Sequence, residues 1–288
     1  MKTELTFMIL LIGIILSYQV LAVEPVWSVS GLKMPESVEY DNVNNRYYVS
    51  NINDGVNAED GNGSIGLIDS NGKLLNVDWV TGLHSPKGLA LYNNKLYVAD
   101  VKQLVVINVD SARVIARYDA PNSVALNGIT VNNSGKVFIS DWIDNRIYVL
   151  EKGELEVWLD SVDLNSPNGL WVNNTDLYVA SWGRNPKDDF TTETSGSIMK
   201  ISLRSKEIVT INQNEQWINM DGISAYEKDK WLVSDFLKGE ILLLNSKGKI
   251  EKSIKTKKGS ADFYYVNEKK LLVVPLMMDN QVVAYKLD

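Results

Sequence analysis

Cysteine is absent from all 288 residues, and histidine occurs once, as His84. Without thiols the chain can make no disulfide, so a protein of this length must hold together through a large packed core. With no thiolate and a single imidazole it also cannot assemble a conventional zinc or copper site or a two-histidine proton relay. His84, one residue ahead of a Ser-Pro step, reads as structural. Clusters of basic residues are missing too. The 29 lysines and arginines are scattered among 36 acidic residues, for a formal net charge of -7. That balance gives nucleic acid no electrostatic footprint and an anionic membrane no basic patch.

Long apolar runs are confined to the first residues, where Phe7 to Leu16 follows Lys2 and leads to Val20 and Ala22 at signal-peptidase spacing. Residues 1–22 therefore read as an export signal, and residues 23–288 as one mature domain in the periplasm or outside the cell. Read instead as an anchor, the stretch is interrupted by Thr6, Ser17 and Gln19 and barely reaches across about 30 Å of hydrocarbon. No stable membrane association is expected after cleavage.

What the sequence does contain is a repeat. A turn, an apolar strand, a second turn and a strand rich in Tyr, Val and Ile recur six times: PESVEYDNVNNRYYVSN from Pro35, SPKGLALYNNKLYVAD from Ser85, ALNGITVNNSGKVFISD from Ala125, SPNGLWVNNTDLYVAS from Ser166, NMDGISAYEKDKWLVSD from Asn219 and SADFYYVNEKKLLVVPL from Ser260. Asn, Asp, Gly and Lys between the β-branched and aromatic runs close tight antiparallel turns. Two further strands follow each hairpin, and four strands per unit at a period of about 40 to 50 residues is the signature of a propeller blade. The last copy has only three strands before the chain ends, while EPVWSVSG at residues 24–31 is a strand without a unit. The expected fold is all-β: a six-bladed β-propeller of four antiparallel strands per blade, with the N-terminal strand closing the last blade. A solenoid would need polar caps at both ends and would not split one repeat between the termini.

In an antiparallel meander the start of the first strand lies on the same face as the connection between the second and third. Rotational symmetry then predicts a polar ring at one tunnel mouth from Glu36, Lys87, Asn127, Asn168, Asp221 and Asp262. Glu36, Asn127, Asn168 and Asp221 bring two carboxylates and two amide oxygens to the axis, hard donors that suit a divalent cation, calcium ahead of magnesium because it tolerates irregular geometry. Asn-Gly and Asp-Gly are also ordinary turn signals, but these recur at one blade position, whereas Asn93-Asn94 and Asn132-Asn133 fall at hairpin tips facing the opposite mouth. The long connections from Asn51 and Ser181 should overhang the ring. Trp182 and Arg184, with Trp142 and Phe236, are candidates for a wall around a small-molecule ligand, although packing alone would also account for Trp142 and Phe236. NDGVNAEDGNG lacks EF-hand spacing and reads as a surface loop.

The blade pattern, Glu36, SPNGL around Asn168 and MDGIS around Asp221 together resemble the gluconolactonase/regucalcin (senescence marker protein) family over essentially the whole mature chain. PESVEYD, YVSNI, SPKGLA, SWG, GSAD and VVPLMMDN look like a bacterial exported branch of it. The resemblance implies cation binding by Glu36, Asn168 and Asp221, with Asn127 matching a further asparagine that contacts metal or substrate. Where the family has Glu-Gly-Pro-Trp and Arg-x-Asn-Asp, this chain has Glu-Ser-Val-Glu and Leu-Asn-Gly. Related paraoxonases carry histidine where this chain has Lys87.

Two functions are expected to compete. One is a metal-dependent hydrolase of lactones or related esters, in which the cation polarises the carbonyl, Asp221 or Asp262 activates water, Lys87 holds an anionic substrate or stabilises an oxyanion as a catalytic residue, and Asn127 contacts the substrate. The other is a non-catalytic, NHL-like propeller presenting its mouth to a peptide, glycan or small ligand.

Overall fold

The computed structural model describes residues 18–211 and 218–287. Six sheets make the six blades. The first four run in sequence order: Pro35–Asp41 to Leu74–Leu83, Pro86–Tyr92 to Arg113–Asp119, Leu126–Val131 to Glu154–Asp160, and Pro167–Val172 to Ile208–Thr210. Blade 5 begins at Met220–Glu227 and ends at Ile250–Lys255. Blade 6 contains Tyr264–Val266, Leu271–Leu276 and Gln281–Lys286, and its outer strand is Pro25–Ser30 from the other end of the chain.

The closure expected for residues 24–31 is therefore present. Ser28, Val29 and Ser30 pair antiparallel with Val283, Val282 and Gln281, which covers an edge that would otherwise carry unpaired backbone groups. A shorter strand, Gln19–Leu21, runs parallel to Lys252–Ile254 at the outer edge of blade 5. It falls within the span read as an export signal, and cleavage after Ala22 would remove it while leaving the closing strand intact. The rest of that span, residues 1–17, lies outside the described residues. Among those described, no helix is long and apolar enough to cross a membrane.

The repeat works because each strand has its own exposure. Inner strands are covered on both faces and read as nearly unbroken buried runs, as in Pro35–Asp41. Outer strands such as Arg113–Asp119 alternate between exposed and half-buried residues, which is the period of two expected of a one-sided sheet. Between blades, six apolar clusters occupy the six interfaces. Tyr47, Val49, Val273 and Val282 join blade 1 to blade 6, for example, and Leu104, Ala99, Ile139 and Tyr148 join blade 2 to blade 3. A ring of equivalent interfaces replaces the cross-links that a cysteine-free chain cannot make.

Candidate metal centre

The geometry at the axis begins with a local irregularity that five blades share. In each, the register between the first two strands shifts across the expected ring residue and the one after it, between Pro35 and Val38, Pro86 and Leu89, Leu126 and Ile129, Pro167 and Leu170, and Met220 and Ile223. Such a bulge re-aims a side chain at the end of a sheet. Here Glu36, Lys87, Asn127, Asn168 and Asp221 all line one cavity.

Glycine follows the ring residue in blades 2 to 5 for a steric reason. A Cβ on Gly88, Gly128 or Gly169 would stand 2.4, 2.2 or 2.1 Å from the carbonyl oxygen of Asn127, Asn168 or Asp221 in the next blade. The Asn-Gly and Asp-Gly pairs are thus set by close approach of neighbouring blades. Second-strand serines hold the bulges, since the N–H groups of Ser37, Gly128 and Gly222 donate to the hydroxyls of Ser50, Ser140 and Ser234, each at 2.8 Å.

Asp262, expected as the sixth member of the mouth ring, is placed differently. The first strand of blade 6 begins only at Tyr264, so Asp262 precedes it and bridges to blade 1. Its N–H donates to the Glu36 carbonyl at 2.9 Å, and its carboxylate accepts from the Ser37 hydroxyl at 3.0 Å. Blade 1 has serine where blades 2 to 5 have glycine, and that hydroxyl draws the carboxylate away from the mouth. Asp262 lines the tunnel, a cavity of about 330 Å³ walled by inner-strand residues such as Val38, Leu89, Leu170 and Ile223. Glu39 also faces this tunnel. Sequence reasoning missed Glu39, although its place in an inner strand was the available signal.

The four expected cation ligands share a second property. Glu36 Oε2, Asn127 Oδ1, Asn168 Oδ1 and Asp221 Oδ1 are all buried without a hydrogen-bond partner. Buried polar atoms are normally satisfied, and here four unsatisfied oxygens face one small space. The donor set fits a hard cation such as calcium. Among the described residues no three His, Cys, Asp or Glu side chains form a metal-holding group by themselves, so a cation here would depend on the two amide oxygens.

Electrostatics are consistent with that fit. Burial, then the charges of Asp221 and Asp262, push the Glu36 carboxyl well above its usual range, with Lys87 opposing. Burial and Asp262 do the same to Asp221, against a hydrogen bond from the Asn168 side chain. Burial raises Asp262 to about 7, opposed by the Ser37 hydroxyl. The Lys87 ammonium, donating to the Ser85 carbonyl at 3.3 Å, is lowered by burial to about 8 while Glu36, Asp100 and Asp141 pull the other way.

The wall above the ring is apolar. Ile52, Trp142, Trp182, Phe236 and Met277 form a buried cluster, against which Val56 and Phe190 of the two long connections pack. Both connections do overhang the ring. Trp142 and Trp182 meet edge to face at 5.9 Å, and Trp182 and Phe236 lie 5.3 Å apart. Together they leave a cavity of about 40 Å³ over the polar floor. Trp182 belongs to this wall, but Arg184 does not. It lies in a separate open groove beside Asp163, Asn165 and Thr194. His84 accepts a hydrogen bond from the Gly61 N–H at 3.2 Å, tying down the surface loop that follows Asn51.

No protein-family model matches the chain, and no curated protein matches its sequence. Solved structures match its fold. Virginiamycin B lyase from Staphylococcus aureus is similar at 14% identity and a TM-score of 0.61, covering 91% of this chain and 88% of its own. A streptogramin B lyase gives 12%, 0.61, 92% and 97% on the same measures. A chain of a nidogen/laminin complex gives 17%, 0.60, 77% and 80%. At such identities the likeness establishes a shared propeller and no shared chemistry.

Proposed function

We propose that this protein is an exported, calcium-binding propeller of the gluconolactonase/regucalcin type, acting as a metal-dependent hydrolase of lactones or related esters. The observation that carries the reading is the set of four buried, partnerless oxygens on Glu36, Asn127, Asn168 and Asp221 around one cavity. A divalent cation bound there supplies Lewis acidity toward a carbonyl oxygen. The chain's own groups do the rest. Lys87, buried on the same floor, holds an anionic group or a developing oxyanion. Asp221 borders the cavity, and Asp262 stands behind it on the tunnel side, two carboxylates placed for acid–base work on a water.

A screen of lactones and aryl esters tests this. Hydrolysis that disappears with chelator and returns with calcium supports it, and hydrolysis indifferent to chelator refutes the cation's part.

A non-catalytic binding propeller is the second reading, favoured by the small cavity. About 40 Å³ accommodates an ion and a few waters, each of which needs about 10 to 15 Å³ on that measure. Calcium binding without turnover of any ester would establish this reading over the first.

A further inference from the structure

The site's two levels differ in chemistry, and the difference specifies what can enter. Its floor is polar, but the wall is built from Ile52, Trp142, Trp182, Phe190, Phe236 and Met277. A polyhydroxylated ring pressed against these side chains would lose water from each hydroxyl and find no partner, at a cost that grows with every such group.

Among the described residues of the wall, one side-chain polar atom has no partner. The indole N–H of Trp182 donates to the Phe190 carbonyl at 3.0 Å. That of Trp142 is buried without a partner, on a side chain only 7% exposed that borders the same cavity as the four partnerless oxygens. It can donate one hydrogen bond to an acceptor oxygen on a ligand.

Access depends on Phe190. Trp142, Trp182 and Phe236 are buried, whereas Phe190 is partly exposed on the connection between Asp176–Ser181 and Ile198–Ser202. Its φ is 69°, a left-handed conformation that a bulky side chain rarely adopts. Its ring closes on Trp182 and Phe236 at 6.3 and 5.5 Å.

We propose that the mouth selects a small ligand with an aromatic or alkyl body and a single carbonyl or carboxylate head. The body lies among the cap aromatics, the head accepts from Trp142 Nε1, and Phe190 swings aside to admit it. This specificity rests on the cation reading of the same floor and names the class of molecule that the floor receives.

Calorimetric titration of the calcium-loaded protein with phenylacetate and with gluconate tests it, because the two carry the same charge and differ in their bodies. Phenylacetate is expected to bind at least about tenfold more tightly, and Trp142→Phe to weaken it about fivefold, the worth of one ordinary hydrogen bond. Stopped-flow mixing should show faster association in Phe190→Ala. Equal or tighter binding of gluconate overturns the proposal, as does a Trp142→Phe variant that binds phenylacetate as the parent does. Unchanged association in Phe190→Ala overturns the gating role. A parallel calcium titration separates the two layers: if calcium fails to bind while phenylacetate still prefers the parent over Trp142→Phe, the cation reading falls and the apolar specificity stands.

Discussion

Replacing Asp221 with asparagine separates the cation reading from a merely structural one, because it removes a charge while keeping the shape. In the parent, calcium at about a hundred times its dissociation constant stabilises the folded state by about 2.7 kcal/mol. For a domain of this size each kcal/mol moves Tm by about 2 to 4 °C, so scanning calorimetry should show a rise of roughly 5 to 10 °C between chelator and calcium. Asp221→Asn loses one of the two carboxylates among the four partnerless oxygens, and its calcium response should fall below about 2 °C. In chelator the variant should be at least as stable as the parent, since Asp221 is buried beside Asp262 and both burial and that neighbour disfavour its charge. A full calcium response in the variant would refute the assignment of Asp221. A variant several degrees less stable than the parent in chelator would show that the carboxylate is a structural hydrogen-bond acceptor first.

Three further outcomes follow from the same geometry. Deleting residues 23–31 strips Val29 and Trp27 from the interface of blades 6 and 1, a loss on the order of 4 kcal/mol, and circular dichroism should show Tm falling by about 10 °C in one transition for the whole ring. Gly169→Ala places a methyl 2.1 Å from the Asp221 carbonyl oxygen, so denaturant unfolding should show a loss of about 3 kcal/mol. Burial raises Asp262 from 3.8 to about 7. A group whose folded pKa exceeds its unfolded value contributes stability that is complete below about 4 and lost as pH rises through 7, on the order of 4 kcal/mol. In chelator, Asp262→Asn should therefore flatten the decline of stability between pH 4 and pH 7, and an unchanged slope would count against a carboxyl whose pKa burial has raised.

Much of the architecture was legible because it is periodic. The six hairpins, the orphan strand at residues 24–31 and the polar residue opening each unit are patterns along the chain, and symmetry carries them into space without knowledge of any single contact. The Asn-Gly and Asp-Gly pairs were legible in position but not in cause: the glycines of the Asn-Gly pairs answer to the carbonyl of the next blade and Gly222 to the side chain of Asp262, contacts between residues distant in sequence. Asp262 shows where symmetry misleads. Equivalent by alignment, it is pulled to the tunnel side by Ser37, where blades 2 to 5 have glycine. Arg184 shares a connection with Phe190 and yet faces another groove, because alignment says which loop overhangs the ring but not which of its side chains turns inward.

By itself, then, the sequence determined the ring of six blades, its closure by the N-terminal strand and the gathering of Glu36, Asn127, Asn168 and Asp221 at one mouth, since repetition and strand polarity suffice for each. Only the tertiary structure decided that those four oxygens lack partners, that Asp262 stands behind them and that an apolar cap leaves about 40 Å³ above them. These are properties of side chains packed from different blades. The free space among such groups depends on the shapes that meet there, and no single repeat carries that information.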